Sequence, residues 1–163
     1  MGNFTKRKGL CLLAVLLAVC ALFSLTLLVG AAEDEETVYY YVNSETGVDA
    51  NNGRSANKAV KTFTRACNLV RRTGGTIVIT NEYVFPKTVN EMAHDMPFTI
   101  TTKDDKVDYG AEGAKLVFGS TLRYVLNGET TFENITIECT YSLVVVANFH
   151  PITFGEGVTI NTL

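Results

Sequence analysis

From Gly75 to Leu163 the sequence carries no helical periodicity, only short apolar runs rich in β-branched and aromatic residues and separated by Gly, Asn, Asp and Lys clusters. Nine such runs are read, at 76–79, 83–85, 98–101, 116–118, 123–126, 132–137, 143–147, 152–154 and 158–160. A chain of this kind has to pair strands with strands, because no second layer of helices is on offer. Ahead of these runs stand one more strand, 38–42, and a polar stretch from Asn43 to Asn57 with Gly47 and Gly53. A single helix follows: Phe63, Ala66, Cys67 and Val70 lie at i, i+3, i+4 and i+7, with Thr62 placed as N-cap and Gly74 as the stop.

Self-similarity narrows the architecture. Ile135-Thr136-Ile137 recurs as Val158-Thr159-Ile160 at an offset of 23, and Ile77-Val78-Ile79 is echoed by Phe98-Thr99-Ile100 at 21. A repeat near 22 predicts stacked coils with a column of Ile, Val and Phe inside. Phe118, which falls 18 after Ile100 and 19 before Ile137, departs from that spacing. An antiparallel sandwich with Asn127-Gly128 as a hairpin turn stays open.

The N-terminus has a different character. Lys6, Arg7 and Lys8 precede a run from Leu10 to Val29 that holds no charge, and Val29-Gly30-Ala31 closes it with small residues, the pattern of a secretory signal. Cleavage after Ala31 leaves 132 residues with 11 basic and 17 acidic side chains, a charge of −6. Retention of residues 10–29 as a membrane anchor is the competing reading. Lys6 stands where myristoylation needs Ser or Thr, and Leu17-Ala18-Val19-Cys20 is a poor lipobox. Cys11 and Cys20 leave with the signal, so Cys67 and Cys139 are expected as buried thiols or, alternatively, as one disulfide.

The order Tyr40-Tyr41-Val42, Gly47-Val48-Asp49-Ala50-Asn51-Asn52-Gly53-Arg54-Ser55, Ala59-Val60-Lys61-Thr62-Phe63 and Gly74-Gly75-Thr76-Ile77-Val78-Ile79 resembles the N-terminal cap and first rung of right-handed parallel β-helix proteins with the pectin-lyase-like fold. Phe132-Glu133-Asn134-Ile135-Thr136-Ile137 is similar to that family's rung motif. The expected fold class is therefore all-β, a right-handed parallel β-helix (solenoid) with an N-terminal capping α-helix, preceded by a signal-peptide helix. Residues 1–31 are expected as the signal peptide, 32–37 as an acidic linker, 38–75 as strand, loop and capping helix, and 76–163 as rungs incomplete at the C-terminus. An exposed last rung is costly, so the chain is expected to be the N-terminal piece of a longer protein or a truncated gene product.

Enzymes of the resembled family supply motifs that can be sought residue by residue. Of the polygalacturonase set only an Asp-Asp is present, Asp104-Asp105, with no matching His and no second carboxylate motif. The resemblance to pectate lyases implies Ca²⁺ held by carboxylates, for which Asp104, Asp105 and Asp108 are the candidate ligands, with Arg123 as a base. The loop from Asp49 departs from EF-hand spacing at Gly53, Arg54 and Val60, and reads as a loop held by Asx-turns. His94 and His150 lie 56 residues apart, without zinc-binding spacing, and no nucleophile elbow, Walker loop or dinucleotide fingerprint occurs. No catalytic residue is assigned.

Carbohydrate recognition commonly uses aromatic platforms, and Tyr83, Tyr109, Tyr124 and Tyr141 are the candidates in a chain without Trp. The acidic charge argues against nucleic acid and against a bare uronate polymer. Asn134-Ile135-Thr136 fits a glycosylation sequon but falls inside an expected core strand. The expected function is a secreted or cell-surface module that meets extracellular polysaccharide or a surface protein. The alternative is the N-terminal part of a polysaccharide lyase or glycoside hydrolase.

Overall fold

The computed structural model describes residues 37–85, 91–92, 96–119, 123–126, 128–140, 144–146 and 150–162, with backbone alone at 91–92, 123–126 and 144–146. The expected signal peptide, residues 1–31, and the competing anchor, residues 10–29, lie outside them, as do Tyr141 and His94. Among the described residues no helix is long and apolar enough to cross a membrane.

The first strand, β1 (Tyr39–Val42), is followed by a loop containing a 3-10 turn (Ala56–Lys58) and then α1 (Phe63–Val70). Strands β2 (Gly75–Ile79), β3 (Glu82–Val84), β4 (Glu91–Met92) and β5 (Phe98–Thr101) come next, then a second 3-10 turn (Tyr109–Glu112). The chain continues through β6 (Lys115–Phe118), β7 (Arg123–Leu126), β8 (Thr130–Phe132) and β9 (Thr136–Cys139). It ends in β10 (Val144–Val146), β11 (Ile152–Phe154) and β12 (Thr159–Thr162).

Three sheets result: β1-β2-β5-β8-β11, β12-β9-β6-β3 and β10-β7-β4. Every ladder between named strands is parallel, which removes the antiparallel sandwich; β7 and β8, on either side of Asn127-Gly128, lie in different sheets.

The all-β solenoid expected from the sequence is corrected by these sheets. The described residues form parallel sheets of five, four and three strands with a few helical segments among them, a mixed sheet-and-helix arrangement rather than a regular parallel β-helix. The physical reason is that no uniform coil length is kept. In the five-stranded sheet successive partners are 37, 23, 32 and 22 residues apart, seen in Tyr39↔Thr76, Gly75↔Phe98, Phe98↔Thr130 and Ile152↔Thr130. The long intervals hold α1 and the 3-10 turn at Tyr109–Glu112.

Local chemistry sets α1. The Thr62 hydroxyl accepts from the Arg65 N–H at 3.1 Å, an N-cap, and Asp49 ties the start down by accepting from the N–H groups of Lys61 and Thr62. At the other end Gly74, at φ +66°, donates to the Val70 carbonyl, a conformation that side chains with a Cβ resist. The buried stripe Phe63, Ala66, Cys67 and Val70 joins Val42, Ile77, Ile79, Ile100, Leu116, Phe132, Ile135 and Ile137 in one core. Phe85 stacks on Phe118 with ring centroids 4.6 Å apart.

Cys67 and Cys139 are both free and buried. Asn134 stands outside any strand, at φ +45° in the bend between β8 and β9, and is exposed.

Candidate functional site

Strand alternation sorts β1 by face. Tyr40 points to the core, while Tyr39 and Tyr41 stand on the opposite side with Ala59, Val78 and Tyr109 as a smaller apolar cluster. Tyr39 begins a cross-strand column. It pairs with Thr76, Thr76 with Thr99, Thr99 with Thr131 and Thr131 with Thr153. Each Thr precedes a core-cluster or core-stacked residue: Ile77, Ile100, Phe132 and Phe154. The hydroxyls are therefore laid out on the outer face of the sheet.

Residues 101–114 fold back over this face. Asp104 organises the turn: its Oδ1 accepts from the N–H groups of Lys106 and Val107 at 2.7 and 2.8 Å, and its Oδ2 accepts from the Tyr41 hydroxyl at 2.8 Å and the Tyr109 hydroxyl at 3.4 Å. Asp105 Oδ1 accepts from the Tyr39 hydroxyl at 2.7 Å. Asp108 caps the following 3-10 turn by accepting from Gly110 and Ala111. Between this turn and the sheet lies a cavity of about 290 Å³ walled by Tyr39, Thr76, Thr99, Thr101, Lys103, Asp104, Asp105, Glu133 and Asn134.

The electrostatics follow from the contacts. Burial, the hydrogen bond to Asp105 and the charges of Asp105 and Asp104 push the Tyr39 hydroxyl up to about 12. Burial and then Asp104 also push the Tyr41 hydroxyl well above the usual tyrosine range. Burial opposes ionisation of Asp104, but the Lys106 N–H, the Tyr41 hydroxyl and the Val107 N–H outweigh it and hold the carboxyl below the ordinary value. The wall carries three carboxylates against one ammonium, so it favours neutral or cationic ligands over anionic ones.

The sequence candidates are distributed unevenly. Asp104 and Asp105 line the cavity and Tyr109 stands beside it through Asp104 and Tyr41. Asp108 serves the 3-10 turn. Among the described residues no three His, Cys, Asp or Glu side chains are grouped to hold a metal ion. Tyr83 is in the core, where its hydroxyl accepts from the Phe63 N–H at 2.9 Å and so satisfies the start of α1. Tyr124 lies in β7, where only the backbone is described.

Tyr39, Thr76, Thr99, Thr101 and Glu133 are not among the site candidates that the sequence offers, and Asn134 stands out there only as part of a glycosylation sequon. The available signal was the recurrence of Thr before a core residue at 76, 99, 131 and 153, together with the i, i+2 spacing of Tyr39 and Tyr41.

No family model matches the chain, no curated protein is significantly similar to it, and no solved structure matches it. The resemblance to pectin-lyase-like proteins gains no support from these comparisons.

Proposed function

We propose that the chain is a secreted or cell-surface module that binds extracellular polysaccharide in the cavity between the threonine column and the 101–114 turn. The observation that carries this reading is the cavity wall itself: one aromatic ring, three threonine hydroxyls, an amide, an ammonium and three carboxylates around about 290 Å³. Sugars offer paired hydroxyls, each a donor and an acceptor, and faces of C–H groups. Carboxylates and Thr hydroxyls suit the former, and a Tyr ring suits the latter. The basic, apolar and small-residue order of the first 31 positions supports an extracellular setting.

The excess of carboxylates directs the choice toward neutral chains rather than uronates. Affinity electrophoresis of the full chain through gels carrying xylan, galactomannan, β-glucan or polygalacturonate tests it. Retardation by a neutral polymer that is lost in Tyr39→Ala and Thr99→Val is expected. Equal mobility in every gel contradicts the reading.

A further inference from the structure

The face of α1 opposite its buried stripe carries a second, differently charged site. Arg65, Asn68, Leu69 and Arg72 recur at i, i+3, i+4 and i+7, and with Arg71 they line a cavity of about 580 Å³ that shares no residue with the threonine cavity. Three guanidinium groups on one cavity run against a chain whose net charge is −3.

Arg65 supplies the observation that points to a ligand. Its Nε is buried and has no hydrogen-bond partner, the one such side-chain atom among the described residues. The residue itself is fixed, because its main-chain N–H is held by Thr62 in the first turn of α1. A buried guanidinium N–H without an acceptor carries a desolvation penalty that an incoming oxygen removes. Guanidinium groups favour oxyanions above other acceptors, since their planar forks match adjacent oxygens and the bonds are charge-assisted. Leu69 gives the cavity a fixed apolar element: its Cδ1 lies 3.3 Å from where a Cβ on Gly53 would sit, so it packs closely on the loop before α1.

We propose that this cavity binds a tetrahedral oxyanion, sulfate or phosphate, with Arg65 Nε as a donor and the charge of Arg72 neutralising it. The group arrives either as a free ion or as a substituent on a polymer; both present the same oxygens to the same forks.

The test follows the Arg65 Nε–Hε resonance of the ¹⁵N-labelled full chain during titration with inorganic sulfate and inorganic phosphate, chloride being used to hold ionic strength constant. A saturable shift with either oxyanion and none with chloride is expected. Arg72→Gln and Arg65→Lys, the latter keeping charge but losing Nε, each weaken binding by about tenfold. Dextran sulfate that displaces inorganic sulfate, where uncharged dextran does not, assigns the polymer source; failure to displace assigns the free ion. An unmoved resonance, an equal shift with chloride, or undiminished binding in Arg72→Gln overturns the proposal. The wild-type resonance and Arg72→Gln decide the matter even where Arg65→Lys does not fold.

Discussion

The Tyr41 hydroxyl donates to Asp104 Oδ2 at 2.8 Å across 63 residues of sequence, and this contact fastens the 101–114 turn to the outer face of β1. The same carboxylate collects the main-chain N–H groups of Lys106 and Val107, so one side chain both shapes the turn and anchors it. The cavity of about 290 Å³ exists because that turn stands over the threonine column.

Removing the anchor has a measurable cost. Tyr41→Phe keeps the ring and deletes the bond to a charged acceptor, for which a loss of about 1–2 kcal/mol is expected in urea unfolding. An unchanged midpoint shows that Asp104 holds the turn without Tyr41.

The pH dependence has a defined sign at both ends. Asp104 ionises below its ordinary value in the folded chain, so its contribution is present above about pH 4, the unfolded value, and is lost as pH falls through the lower folded value. Tyr39 is raised to about 12, so its contribution is intact below about pH 10 and is lost as pH rises toward 12. Absorbance at 295 nm across an alkaline titration should show Tyr39, Tyr41, Tyr83 and Tyr109 ionising later than free tyrosine. Their ionisation with the free amino acid contradicts the assigned contacts.

Core truncations should divide by burial. Ile100 is fully buried, and Ile100→Ala is expected to cost about 2–5 kcal/mol through lost burial and an unfilled cavity. Phe154 stacks on Phe132 at 5.4 Å but is 53% exposed, so Phe154→Ala should cost less than half as much as Ile100→Ala in the same assay. Equal losses would place Phe154 in a buried contact, contrary to its exposure.

Two glycines differ in what surrounds them. A Cβ on Gly47 would meet the carbonyl oxygens of Asn43 and Val60 at 2.3 Å, whereas one on Gly119 meets nothing within 4 Å. Gly47→Ala should destabilise by about 1–3 kcal/mol or more, and Gly119→Ala by about 0.5 kcal/mol at most, in thermal unfolding.

Burial pushes the Cys67 thiol up to about 12, and Cys139 is also raised by burial. Thiolate reagents at pH 8 should leave both unmodified in the native chain and label both in guanidinium chloride, with peptide mapping as the readout. Rapid native labelling of Cys67 would show that the α1 face opens.

What was legible in the sequence was local. Thr62, the Phe63-Ala66-Cys67-Val70 stripe and Gly74 describe α1 because caps and a 3.6 period act within one turn. Strand partners were less legible. The echo placed Ile77 against Phe98, but Ile77 pairs with Ile100 and Gly75 pairs with Phe98, because short apolar runs look alike at either register. The run at 132–137 is two strands in different sheets, with Asn134 at the bend, since Asn tolerates the left-handed backbone that the turn requires.

The site was partly legible. Asp104 and Asp105 stood out as an acidic pair, but their bonds to Tyr41 and Tyr39 span 63 and 66 residues, and no periodicity encodes such distances. Tyr83 stands among the platform candidates because an isolated Tyr carries no sign of which face it occupies; the N–H at the start of α1 claims its hydroxyl.

The central claim is that the threonine cavity, and not α1, receives a neutral polysaccharide. Chemical-shift mapping of the full chain with xylan- or galactomannan-derived oligosaccharides tests this most directly. The predicted result is a set of saturable shifts at Tyr39, Thr76, Thr99, Thr101 and Asn134, with Arg65 and Arg72 unmoved; shifts confined to other residues, or none with any neutral oligosaccharide, would contradict it.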